Sequence, residues 1–194
     1  MGEAYYQYWA KSSDRGHHLL VYHGLDVCSV AQSWIDHNLP FARKLADRLS
    51  ISLDTLKGLI GLFSALHDAG KFSVTFQNLC PDLLEKLQGR ESRKDYTVRH
   101  DDLGWMLWEC RLQSYVIEHL KEYGSITGRG ESRVRNCLDV FARLAFGHHG
   151  RPTCEHTSNF DARFLKSDVE AALRYTNKLL EIHLCSESKT ELAR

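Results

Sequence analysis

The sequence is rich in histidine, with eleven copies in 194 residues, and several stand beside Asp, Gly or another His where helical segments end. The adjacent pair His67-Asp68 is the centre of the pattern. Neighbours on the last turn of a helix diverge by about a third of a turn, so they can face two different ions. A carboxylate has two oxygens and can bridge two cations, whereas a neutral imidazole caps one; a bridging Asp68 would hold metals about 3.5 to 4 Å apart. Such a pair suits phosphodiester hydrolysis. One cation activates water, and both neutralise charge gathering on the phosphoryl oxygens. Lys71, just past Gly70, stands close enough to reach a phosphate oxygen or developing charge beside the metals.

Three further places supply imidazoles: His23 and His100 at helix starts, and His148-His149 between Gly147 and Gly150 at a helix end. Ligands from facing helices of a bundle can converge on one cavity, and a His/Asp set of this kind suits divalent transition metals. Each lone histidine could equally be a cap on terminal carbonyls. His17, His18, His37, His119, His156 and His183 receive that reading, with His18 kept in view because it lies near His23. Basic stretches flank the candidates, and Arg99 and Arg151 are the expected nucleic-acid contacts. Ala65 to Phe72 imitates a phosphate-binding loop, but Ala65 replaces its first Gly and Phe72 its Ser/Thr, so ATP binding is not supported.

The elements that must position these residues read as helices, since apolar residues recur every three and four positions and strand-like alternation is scarce. The fold expected is an all-α helical bundle. A first helix spans about Tyr22 to His37, with Leu25, Val30, Trp34 and Ile35 on its buried side and Pro40 closing it; a short one follows, Phe41 to Leu49. Ser52 caps a helix that lines up Leu56, Leu59, Ile60, Phe63 and Leu66 and ends at His67-Asp68-Ala69-Gly70, with Gly70 as the stop. Pro81 opens another short helix through Leu87. A polar loop, Gly89 to Arg99, precedes an apolar helix from His100 or Asp101 to about Tyr123, then come Arg133 to Phe146 and Ser167 to Leu184. The tryptophans read as core.

Lys plus Arg and Asp plus Glu balance at 25 each, which argues against wholesale polyanion binding through net charge. Six cysteines without a C-x-x-C pair read as free, mostly buried thiols rather than a zinc ribbon or disulfide framework. There is no secretory-signal pattern and no apolar run of membrane-span length, so a cytoplasmic location is expected, without a membrane partner.

His67-Asp68-Ala69-Gly70-Lys71 resembles the H-D-x-G-K signature of the HD superfamily of metal phosphohydrolases. With His23, His100 and His148-His149-Gly150, and the opening Tyr8-Trp9-Ala10-Lys11-Ser12 followed by Leu19-Leu20-Val21-Tyr22-His23, the chain resembles the HD nuclease domain of type I CRISPR-associated helicase-nucleases over about residues 5 to 155. The resemblance implies an HD-domain bundle with a two-metal site. His23, His67 and Asp68 would hold one ion and Asp68, His100, His148 and His149 the other, with Asp68 and Lys71 as the catalytic pair. It implies two divalent ions, most often Mn, Fe, Ni or Co, with Mg also usable. The substrate is single-stranded DNA, and the partners are a CRISPR helicase and the Cascade surveillance complex. The chain reads as one domain, 1–194, with no helicase domain. It departs from the family pattern in lacking the late Asp of an Ala-Asp-Trp context, which a chain cut short at its C-terminal side would explain; Asp161 and Asp168 are the acidic residues available there. Two rival readings stand beside the nuclease: an HD phosphohydrolase for nucleotides or cyclic nucleotides, and a truncated, non-catalytic relative that binds a CRISPR component.

Overall fold

The computed structural model describes residues 2–154 and 159–194; His156 lies outside them. The architecture is a bundle of α-helices, as the periodicity predicts, with one addition. An antiparallel hairpin of β1 (Trp9–Ser13) and β2 (Gly16–Leu19) pairs Trp9 with Leu19 and Ser13 with Gly16. Its tip is polar and exposed on both strands, so no alternation betrays it in the sequence. Gln77 fastens its base from below. The buried amide oxygen accepts from Trp9 N at 3.2 Å, while Nε2 donates to Trp9 O at 2.9 Å and to Lys71 O at 2.7 Å.

The helices that follow are α1 (Leu20–His37), α2 (Leu39–Leu49), α3 (Leu53–Leu66), a tight 3-10 turn (Ala69–Phe72), α4 (Val74–Gln77) and α5 (Pro81–Gln88). After an irregular stretch come α6 (His100–Leu107), a π-helical turn (Trp108–Leu112) and α7 (Gln113–Lys121), which together form the long apolar helix expected there. The chain closes with α8 (Arg129–Phe146), α9 (Phe160–Arg163), α10 (Lys166–His183) and α11 (Ser186–Leu192).

The axis of the bundle is α3. Ser52 caps it by accepting from Thr55 N, and Leu56, Leu59, Leu62, Phe63 and Leu66 are fully buried against α1, α2, α8, α10 and α11. Each such side chain stabilises the fold by about 1.5–3 kcal/mol through area removed from water, so the helix end that carries His67 and Asp68 sits on a rigid support.

Several expectations need correction. Of the α1 residues expected inside, Ile35 is buried, but Leu25, Val30 and Trp34 are exposed; the docked stripe is instead Leu20, Val21, Gly24, Cys28 and Ile35. Trp34 meets the exposed Phe41 of α2 edge-on. Pro40 opens α2 rather than closing α1, because its missing N–H is harmless in a first helical turn. The six cysteines are all free, but only Cys28 is fully buried.

Small residues set how closely the helices meet. A Cβ on Gly24 would stand 2.5 Å from Ala65 O, so its absence lets the first turn of α1 dock on the end of α3. Gly70 does the same for α6: a Cβ there would meet His100 O at 1.9 Å and Gly104 N at 2.4 Å. Gly70 lies inside the 3-10 turn, past the end of α3, and its φ is not positive, so it serves close approach rather than the helix stop expected of it.

Candidate metal centre

Both close approaches place an imidazole beside Asp68. His23 lies on the first turn of α1, His67 caps the C-terminal end of α3, and Asp68 precedes the 3-10 turn. His100 begins α6, and His148 and His149 occupy the turn after α8, where Gly150 at φ 76° reverses the chain.

Asp68 is buried, and its two oxygens face two different groups of donors. Oδ2 lies 3.1 Å from His23 Nε2, 3.4 Å from His67 Nε2 and 2.8 Å from Lys71 Nζ. Oδ1 lies 3.2 Å from His100 Nε2 and 3.7 Å from His148 Nε2, yet neither contact is aligned as a hydrogen bond, which leaves a buried carboxylate oxygen without a donor. His149 Nε2 is 2.9 Å from His100 Nε2. The side-chain donors thus form two groups, His23 with His67 and Asp68, and His100 with His148 and His149; within each group the ligand atoms all lie within 4.8 Å of one another.

These donors suit divalent cations. His67 donates Nδ1–H to Ser64 O at 2.8 Å and His148 donates Nδ1–H to Ala145 O at 2.9 Å. Each bond fixes the tautomer that turns a bare Nε2 lone pair inward, the usual support of a metal-binding imidazole. His100 Nδ1 is 3.3 Å from Tyr96 Oη, whose oxygen also accepts from His100 N. Two imidazole nitrogens facing each other, and a buried carboxylate oxygen with no hydrogen to accept, form a donor set that fits a divalent cation.

The electrostatics agree. Burial alone would raise the Asp68 carboxyl, but His100, His23 and His67 around it more than offset that and hold it far below the usual carboxylate range, so it is anionic. His148 and His149 are both lowered, first by burial and then, for His149, by His100, which keeps them neutral and able to ligate.

Each residue expected at the centre is accounted for. His23, His67, Asp68, His100, His148 and His149 come together. Lys71 does not stand free to meet a phosphate: it is 7% exposed, bonded to Ala10 O at 3.2 Å as well as to Asp68, and lies over the Phe76 ring. Its charge is paired with the buried Asp68 carboxylate. Arg99 pairs bidentately with Asp101, and Arg151 with Asp101 and Asp102, so both cations are engaged within the chain although half-exposed. His18 pairs with Asp26 at 3.4 Å and its ring stands beside His23. His183 contacts Cys28 and Gln32, away from the centre.

The acids considered for the missing late Asp do not join either group. Asp168 is buried in the first turn of α10, where it accepts from Leu165 N, Tyr8 Oη and Arg90; Asp161 is exposed on α9. Among the described residues the group around His23 therefore offers three candidate ligands; a cation held there would keep positions for water or substrate oxygen. Sequence reasoning missed Asp102, Tyr96 and Gln77 as supports, since nothing in their local sequence marks their distant partners.

Comparison with known proteins gives a family match over residues 9–191, to the model described as Cas3, HD domain. The CRISPR-associated endonuclease/helicase Cas3 of Escherichia coli (strain K12) is 40% identical over 75 residues, which cover 36% of this chain and 8% of that protein. The aligned part is thus a small fraction of the relative's length. No solved structure matches.

Proposed function

Because the chain belongs to the Cas3 HD domain family, we propose that it is a nuclease that hydrolyses phosphodiester bonds of single-stranded DNA with two divalent cations, as part of CRISPR interference. The observation that supports this most directly is the sharing of Asp68: one oxygen serves each donor group.

Divalent cations, when bound, supply the Lewis acidity that makes water a nucleophile at neutral pH and offsets charge on the phosphoryl group. His23, His67 and Asp68 Oδ2 would hold one, and Asp68 Oδ1, His100, His148 and His149 the other. Lys71, buried against Oδ2, keeps the carboxylate charged and aimed. The Nδ1–H bonds of His67 and His148 hold their rings in place, so little reorganisation accompanies the reaction.

The choice of a strand over a mononucleotide rests on exposure. His148 and His149 sit on an exposed turn, so the second donor group opens to solvent, where a polymer can lie across it. A helicase delivering the strand, recruitment by Cascade and a cytoplasmic site of action belong to the same proposal, and the relative's printed name joins endonuclease to helicase.

The test is cleavage of single-stranded oligonucleotides against free and cyclic nucleotides, with manganese, by the protein and by Asp68→Ala. Expected is oligonucleotide cleavage that the variant lacks while keeping its helical circular dichroism. Metal-dependent cutting by clean Asp68→Ala protein would refute the mechanism, and turnover of nucleotides alone would move the assignment to the small-substrate reading.

A further inference from the structure

The two histidines of the open group, His148 and His149, are carried by an exposed turn that follows the buried Phe146 at the end of α8. Both residues are exposed, the chain reverses at Gly150, and 151–154 has no regular secondary structure. Phe146 and the His148–Ala145 bond fix its near side, but on the far side the chain runs on without regular structure, and His149 must stay within reach of His100, 49 residues earlier. Something has to hold it.

Asp102 is placed to do so. It is 4% exposed and follows His100 by two residues in the first turn of α6. Oδ1 accepts from Cys154 N at 2.7 Å and Oδ2 from Arg151 Nη2 at 3.1 Å, so both oxygens are spent on the segment just past the histidine pair. Asp101 reinforces it, taking Arg99 bidentately and Arg151 Nε at 3.5 Å. The same rigid helical turn therefore presents His100 and anchors the loop that presents His148 and His149. The dependence is mutual: a buried carboxylate is costly without its partners, so the loop cannot swing away without stranding Asp102.

We propose that Asp102, with Arg151 as its partner, is the positioning residue of the second metal group, setting where His148 and His149 stand relative to His100. This rests on the reading that His100, His148 and His149 hold a cation. Outer partners of metal ligands change affinity by about 10- to 100-fold when removed, and Asp102 acts through the loop backbone to the same end.

The test is titration of metal-free protein with Mn²⁺ by calorimetry and with Co²⁺ by its visible absorption, for the protein, His148→Ala, Asp102→Ala, Arg151→Ala and the double variant Asp102→Ala/Arg151→Ala. The protein should take two ions and His148→Ala one tightly. Asp102→Ala should bind the second ion about 10- to 100-fold more weakly, with the first ion and the melting temperature of the metal-free protein little changed and the second Co²⁺ band altered. Arg151 is half-exposed and Asp102 keeps Cys154 N as a donor without it, so Arg151→Ala should fold and should weaken the second ion alone. The double variant should be no worse than Asp102→Ala, because the two act as one clamp. Two ions bound normally by both single variants, while His148→Ala loses one, would overturn the clamp and leave the metal reading intact; equal weakening of both ions would make Asp102 a general stability residue. Failure of the protein itself to bind a second ion would overturn the metal reading and the clamp with it.

Discussion

Replacing Gly70 by alanine tests the claim that helix spacing builds the centre. The added Cβ would stand 1.9 Å from His100 O and 2.4 Å from Gly104 N, where real Cβ contacts do not fall below 3.0 Å. Both obstructing atoms are backbone atoms of α6, so no side chain can rotate away. Opening the first contact to 3.0 Å moves the N-terminal turn of α6 by about 1.1 Å from the HD segment. That lengthens the 3.2 Å approach of His100 Nε2 to Asp68 Oδ1 and carries Asp102 with it, while His23 and His67, on α1 and α3, stay in place. The overpacking should cost about 1–3 kcal/mol of stability, and a displacement of about 1 Å should cost about 100-fold in turnover. Urea unfolding, manganese calorimetry and single-turnover cleavage read these separately. Expected are a folded protein, loss of the second ion before the first, and a fall in rate at saturating substrate. A Gly70→Ala protein that binds two ions and cleaves normally would refute the idea that contact between α6 and the HD turn sets the geometry.

Lys71→Met should destabilise the metal-free protein by about 3–5 kcal/mol, since it strands a buried carboxylate, and by less with manganese present; equal stability without metal would show that Lys71 does not neutralise Asp68. Cations at about 100 times their dissociation constant should stabilise by about 2.7 kcal/mol per ion, roughly 5–11 °C in melting temperature, reversed by chelator; melting indifferent to metal would argue against both sites. His148 and His149 have lowered imidazole values, so the folded protein keeps them neutral below the ordinary pKa of about 6.5. The second ion should therefore remain bound at about pH 6.5 and leave as acidity rises further; calorimetry showing complete release by that pH would contradict the direction. Trp34→Ser, at an exposed position on α1, should change stability by less than about 0.5 kcal/mol, and a large loss in urea melts would return Trp34 to the core.

The sequence alone determined which residue types could ligate and the order in which the chain meets them. It also determined that the chain is helical, because apolar spacing every three and four residues records the period of the α-helix directly. The Ser52 cap, the helix that ends at His67 and the polar loop before His100 were legible for the same reason: each is a local preference of a few consecutive residues. Tertiary structure decided the rest. On α1 two apolar stripes compete, and periodicity cannot say which one docks; the winner is the one with Gly24 and Cys28, whose small size permits close packing on α3. Gly70 looked like a helix stop and proved to be a point of close approach, because the obstructing atoms belong to α6, some thirty residues later. Lys71 and Arg151 looked like free cations until the fold set Asp68 beside one and Asp102 beside the other. Partnerships of this kind are set by distances between elements, and a linear chain carries no record of those distances until its core has packed.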